Sequence, residues 1–416
     1  MSKAKNDSFI VYYQYALATA FICVFFTNFD TYWSHAIGTP EPKIWIIAFA
    51  IASIPLFLSF SSRIKYISKA LILWIYTYLL ISLISYLVYS NDHPQASSEE
   101  LRTRILSAVF ILIAIFIFSK YPRVQNWARC VILVITFMNV IANIYGLFYP
   151  DAFVTIVENQ SSLATGRSSG FYVDSNRATC VLILGMIFSI NLLPQIYRFP
   201  FILIIIIGSF PTFSRSGTIC LLFVVAILII KHEIDIKKSF LWLAILGVFA
   251  AIILNIAGTE WLDMGNLADI NPANSLTRLN LINLSNDHID DSTSDRLSIV
   301  KITWSKFLES PIWGNGIGYG LRLGELHPEL ANIRSHNMYL SFMLEHGFLG
   351  ALVLPLLVFC STHNAPASNQ AIRLAFSALI LTWAFFSHNI LEHREFLMSF
   401  SLMSTMNITS QIEKKS

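Results

Sequence analysis

Residues 70–89 read ALILWIYTYLLISLISYLVY. No charged side chain interrupts the run. As an α-helix rising about 1.5 Å per residue, it reaches about 30 Å, the thickness of a bilayer's hydrocarbon core. Runs of this kind recur on both sides of it. Span-sized stretches are expected at about 9–29, 44–60, 70–89, 104–118, 131–149, 178–194, 201–213, 218–230, 240–257, 339–360, 374–390 and 396–412. This predicts an all-α polytopic membrane protein with about twelve transmembrane helices. The composition agrees: 55% of residues are hydrophobic, 14% aromatic and 13% charged, where a soluble chain carries about 25% charged residues. Mean hydropathy is +0.61. The short alternating segments of an outer-membrane barrel are absent from the sequence.

The five cysteines (Cys23, Cys130, Cys180, Cys220, Cys360) sit in or beside apolar runs without metal-type spacing, and are expected to be small helix residues. The first apolar run is too long for a signal-peptide core and lacks a small-residue cleavage site, so it is expected to be a retained span. Orientation follows from Lys and Arg in alternate short connections. With the N-terminus inside, fifteen fall on the inner side and five on the outer. Both termini are therefore expected in the cytoplasm. The loop 150–177 and the long polar interval 258–338 then face outward. The chain divides into membrane helices 1–257, a large outer loop 258–338 expected to act as a catalytic lid, and membrane helices 339–416.

Chemistry is sought in the outer loops. The seventh and eighth spans hold thirteen residues each, about 20 Å of helix, so the turn Ser214-Arg215-Ser216-Gly217 between them is expected below the outer membrane surface. A charged arginine at that depth costs at least about 2.5 kcal/mol unless it faces protein or a water-filled cavity. Either Arg215 binds an anion beside a turn that presents backbone N–H groups, or it snorkels to the interface. A second stretch, Gly166-Arg167-Ser168-Ser169-Gly170-Phe171, leads to Asn176-Arg177 before a span. Asn176 suits a helix cap there, and Arg167 and Arg177 add positive charge on the side of Arg215.

In the long loop, Arg296 suits a phosphate through its planar fork; the plain alternative is an ion pair with Asp295 or Asp291. The glycines of Gly314-Asn315-Gly316-Ile317-Gly318 follow no strand, so nucleotide binding is rejected, and a turn folding the loop back on the membrane is expected. Asp287, Asp290, Asp291 and Asp295 match no calcium loop and read as a solvated acidic turn. His336-Asn337 opens the tenth span. An imidazole there, with a free pKa of about 6.5, suits a general base, although a lone histidine also serves as a structural hydrogen-bonder.

In this order, Arg167 to Phe171 with Asn176, Phe213 to Gly217, Arg296, Ser310-Pro311-Ile312-Trp313-Gly314-Asn315-Gly316, then His336-Asn337 with Gly347 and Gly350, the motifs resemble the bacterial O-antigen ligase and polymerase superfamily. The resemblance covers roughly 166–350. It implies a GT-C-like membrane fold and transfer of a glycan from undecaprenyl diphosphate to an acceptor at the periplasmic face of the bacterial inner membrane. It also implies inversion at the sugar carbon, with no metal and no cofactor. His336 would deprotonate the acceptor, and Arg215 and Arg296 would bind the diphosphate and stabilise its growing charge. Arg167, Arg177 and Asn337 would help bind substrate. The acceptor would be lipid A-core for a ligase, which is slightly favoured, or a second lipid-linked glycan for a polymerase; some relatives glycosylate proteins. Membrane lipids are expected partners and nucleic acid is not. A twelve-helix secondary transporter is the rival from another class, weakened by the absence of repeat symmetry and the scarcity of midspan acids.

Overall fold

The computed structural model describes residues 2–58, 66–89, 94–149, 152–153, 167–172, 174–235, 291–326, 336–363 and 365–413. The regular elements among these residues are all helices, with no strand. The helices are α1 Ser2–Phe25, α2 Phe29–Ile37, α3 Pro42–Ala52, α4 Ile54–Leu58, α5 Lys69–Tyr89, α6 Pro94–Phe118, α7 Pro122–Phe148 and α8 Ser175–Ser189. They continue as α9 Gln195–Ser209, α10 Arg215–Ile230, α11 Asp291–Glu309, α12 Tyr319–Leu326, α13 Met338–His346, α14 Val353–Thr362, α15 Gln370–Trp383 and α16 Arg394–Glu413.

Five segments among the described residues are long and apolar enough to cross a membrane: Lys69–Tyr89, Pro94–Phe118, Pro122–Phe148, Ser175–Leu192 and Gln195–Thr212. A sixth is added if Phe9–Phe25 and Phe29–Ile37, bent by 59°, count as one. The expected ninth span, 240–257, lies outside the described residues, as does most of the outer loop, including Asp287 and Asp290.

Several boundaries differ from the expectation for physical reasons. The helix of the expected fourth span, α6, begins at Pro94, ten residues before the expected start, because helix geometry also accommodates the polar turn Ser97–Arg104 once that turn has partners in the fold. The expected tenth span is broken. Helix α13 stops at Gly347, which has φ +70°, and the chain resumes through a 3₁₀ turn, Phe348–Leu352, into α14. An added Cβ at Gly347 would overlap the Ile312 carbonyl, so close backbone approach, as well as φ, calls for glycine there.

Helix α8 is the centre of the bundle: the side chains of Ala178 to Ser189 are all buried. Helices α7, α9, α10 and α15 pack around it, and α16 packs along α6 and α14. Helix α5 presents Leu73, Tyr76, Ile84 and Leu87 outward, the composition of a surface that faces lipid. A helix buried all round and helices apolar on their outer faces are the two patterns of a membrane bundle.

Candidate functional site

Several residues of the sequence motifs have partners in or beside the turn from Ala384 to Arg394 that joins α15 to α16, and this end of the bundle is termed the pole. At this pole the segment Arg167–Phe171 docks onto the start of α10. The Ser168 N–H donates to the Pro211 carbonyl at 2.9 Å. Arg167 Nε donates to the Thr212 carbonyl at 2.8 Å, and its terminal nitrogen donates to Asn176 Oδ1 at 3.0 Å. Ser214 Oγ donates to the same Asn176 oxygen at 2.8 Å and accepts the Gly217 N–H at 3.0 Å. Ser214 is therefore the N-cap of α10. The left-handed backbone of Phe213, φ +45°, turns the chain into the helix, and Arg215, its first residue, is exposed. Orphan N–H groups and the positive end of the helix dipole meet a guanidinium there, an arrangement that attracts anions.

The cap of α8 differs from the expectation. Asp174 is the N-cap, its carboxylate accepting the Asn176 N–H at 2.9 Å. Asn176 sits in the first turn, where its side chain reaches both Arg167 and Ser214.

One residue on, Arg177 turns inward. Its Nε and terminal nitrogen donate to the two Glu395 carboxylate oxygens, the latter at 2.8 Å, and the terminal nitrogen also donates to Asn28 Oδ1 at 3.0 Å. The side chains are 7% and 0% exposed, so this charge pair lies inside the protein. Asn28, at the bend between α1 and α2, donates to the Phe171 carbonyl at 2.9 Å. The Arg167–Phe171 segment is thus held from both sides.

His336 and Asn337 reach the same pole from the other direction. The Met338 N–H donates to the Ala384 carbonyl at 2.8 Å. Asn337 caps α13, its Oδ1 accepting the Leu340 N–H at 3.1 Å. The His336 ring lies 5.5 Å from that of His388, centroid to centroid, in an edge-on arrangement. Beside them opens a cleft lined by Glu100, Arg104, Ser341, Glu345, His388 and Glu392, among others. His393 closes the same turn. Burial holds its imidazole well below the usual histidine range, with Arg177, Arg394 and His388 adding to the effect.

Arg104, at the start of the expected fourth span, is the hub of a buried network. It pairs with Glu345, donates to Glu100 Oε1 and Ser82 Oγ at 3.1 Å each, and lies 2.6 Å from His346 Nε2. Glu345 also accepts the Gly318 N–H at 2.9 Å. The glycine run folds back as expected: the Asn315 and Gly316 N–H groups satisfy the Leu344 and Glu345 carbonyls at 2.8 and 3.2 Å. These carbonyls are orphans at the C-terminus of α13. No sequence signal joined Arg104 to Glu345, because the two are far apart in the chain. Arg296 lies in α11; its side chain, with those of Asp291 and Asp295, falls outside the described residues.

Fold and pole together define a helical membrane protein with arginine and histidine motifs gathered at one end. Residues 200–354 match the family model for O-antigen ligase. That match supports the O-antigen ligase and polymerase superfamily and bears out the resemblance carried by the motifs. The family is one of glycosyltransferase-like enzymes of polysaccharide biosynthesis with lipid-linked substrates. A comparison with curated proteins yields no match.

Proposed function

We propose that this chain is an inner-membrane glycosyltransferase that moves a glycan from undecaprenyl diphosphate to an acceptor at the periplasmic face, in the manner of an O-antigen ligase acting on lipid A-core. The observation that carries the reading is the meeting of the separated motifs at one pole. The Arg167–Asn176 stretch, the Ser214–Gly217 cap and His336-Asn337 all border the 384–395 turn or its direct partners. In this reading the bundle is a GT-C-like fold of about twelve spans, with both termini cytoplasmic and this pole outward under the 258–338 loop.

The diphosphate rests against Arg215 at the α10 N-terminus and against Arg296. His336 takes the proton of the acceptor hydroxyl. The new bond forms from that oxygen to the sugar carbon as the carbon–oxygen bond to the diphosphate breaks, with inversion. The electron pair leaves on undecaprenyl diphosphate, where two guanidinium groups stabilise it without a metal. Arg167 and Arg177, each occupied by protein acceptors, hold the turn beneath the substrate, and Asn337 orients His336 by capping the helix it begins.

The test is complementation of a deletion strain with wild type, His336→Ala or Arg215→Ala, reading lipopolysaccharide and the lipid-linked pool together. Long glycan held on the carrier above bare lipid A-core supports the ligase reading. Single repeat units on both carrier and core assign a polymerase. An unchanged profile in the deletion overturns both and favours transport.

A further inference from the structure

Helix α11 has three distinct faces. Ile299, Thr303 and Phe307 are buried, and α11 packs on α13, with Ile299 clustered with Leu323 and Leu344. About 100° round the helix, Val300, Trp304 and Leu308 form an apolar stripe, exposed by 40%, 47% and 56%. A further turn of about 100° brings Lys301, Ser305 and Glu309, all exposed and polar. A helix with only water outside its protein contact has no reason to separate these two outer faces. A helix lying in a membrane interface does: one side rests on protein, the next enters lipid, and the third meets water.

The stripe's level is set by its neighbours. Directly after α11, Ile312 and Trp313 are exposed by 61% and 77%. Their turn is pinned to the break in the expected tenth span, where the Phe348 N–H donates to the Pro311 carbonyl at 2.8 Å. There Phe348 and Leu349 continue the exposed apolar surface toward α14. On the other side, an added Cβ at Gly316 would lie 2.5 Å from Tyr89, the last residue of the span Lys69–Tyr89. The turn thus sits at the height where a membrane-crossing helix ends.

We infer that α11 is an in-plane interfacial helix, with Trp304, Leu308 and Trp313 inserted among the lipids of the leaflet on the side of the polar pole. The occupant of the stripe is the bilayer itself, because the stripe is continuous with the lipid-facing surface below it. Bound this way, the helix fixes the segment that carries Arg296 at the height of a lipid headgroup. The inference concerns placement alone and stands apart from the reaction assigned above.

The test places the photoreactive amino acid p-benzoylphenylalanine singly at 301, 304, 305, 308 or 313 in the full chain, reconstituted in nanodiscs of phosphatidylethanolamine and phosphatidylglycerol. Adducts are read by mass spectrometry. All five side chains are exposed, so each variant is expected to fold; its elution as a single species is the check. Phospholipid adducts at 304, 308 and 313, several-fold above those at 301 and 305, are the expected result. Equal labelling at all five positions, or no lipid adduct at 304 and 308, overturns the inference. So does the same labelling in whole cells if positions 304 and 308 give protein adducts in place of lipid, which marks a protein-docking face.

Discussion

Replacing Glu395 by Gln tests the internal scaffold of the pole. The change keeps size and shape but leaves the Arg177 guanidinium, always charged, buried without its carboxylate. Two charge-assisted hydrogen bonds are weakened or lost, and each is worth about 1.5–3 kcal/mol. That sum agrees with the roughly 3–5 kcal/mol typical of breaking a buried ion pair from one side. Such a loss raises the unfolded fraction by a factor on the order of 10² to 10⁴.

The paired replacement Arg177→Met with Glu395→Leu behaves differently. It removes both charges and their desolvation cost together, and replacements of this kind are often neutral or stabilising by about 1–4 kcal/mol. Asn28 keeps its bond to the Phe171 carbonyl. The assay is the fraction of protein that still elutes as a single species from size exclusion after graded heating in one detergent. The expected order is the double variant at or above wild type, with Glu395→Gln and Arg177→Met far below both. A double variant as labile as the sum of the singles would refute the argument, since the two side chains would then act independently.

Acidification tests the other end of the same turn. His393 is buried with its pKa held well below 6.5, so the unfolded chain binds the proton first. Its contribution to stability is full above about pH 6.5 and is lost as pH falls toward the folded value, by up to about 1.4 kcal/mol per pH unit; His393→Gln should flatten a melt series between pH 7 and pH 5, and an unchanged slope contradicts the assignment. Asn337→Ala should cost about 1 kcal/mol through loss of the α13 cap, with Asn337→Asp or Asn337→Ser retaining most of it in the same melts; equal loss in all three would mean the cap is not what matters. Gly347→Ala should abolish recovery of folded protein, because a Cβ there meets the Ile312 carbonyl at a positive φ, and normal expression and melting would show that the 311–313 turn can move aside.

Much of the fold was legible in residues 70–89 and their counterparts, because an uncharged run of that length has few options besides a spanning helix. The interruptions were less legible. Helix α13 ends at Gly347 within a run that reads as continuous, because the break depends on Ile312, which approaches from another part of the chain. Residues 94–103 stood outside the expected fourth span because seven of the ten are polar or charged, and such residues are poor membrane residues alone. They are helical because Arg104 finds Glu100, Ser82 and Glu345.

The same division holds for the pole. Local chemistry determined that the chain is helical and apolar and that the 314–318 glycines turn, whereas the helix that Ser214 caps begins at Arg215, three residues before the expected span. The order of its motifs pointed to a superfamily that the match over residues 200–354 supports. Only the tertiary structure decided what each arginine faces. Arg167 and Arg177, ten residues apart, read alike, yet one spans Thr212 and Asn176 while the other is enclosed with Glu395. A side chain's partners across the fold depend on which helices become neighbours, and packing of the whole bundle, not local sequence, sets that.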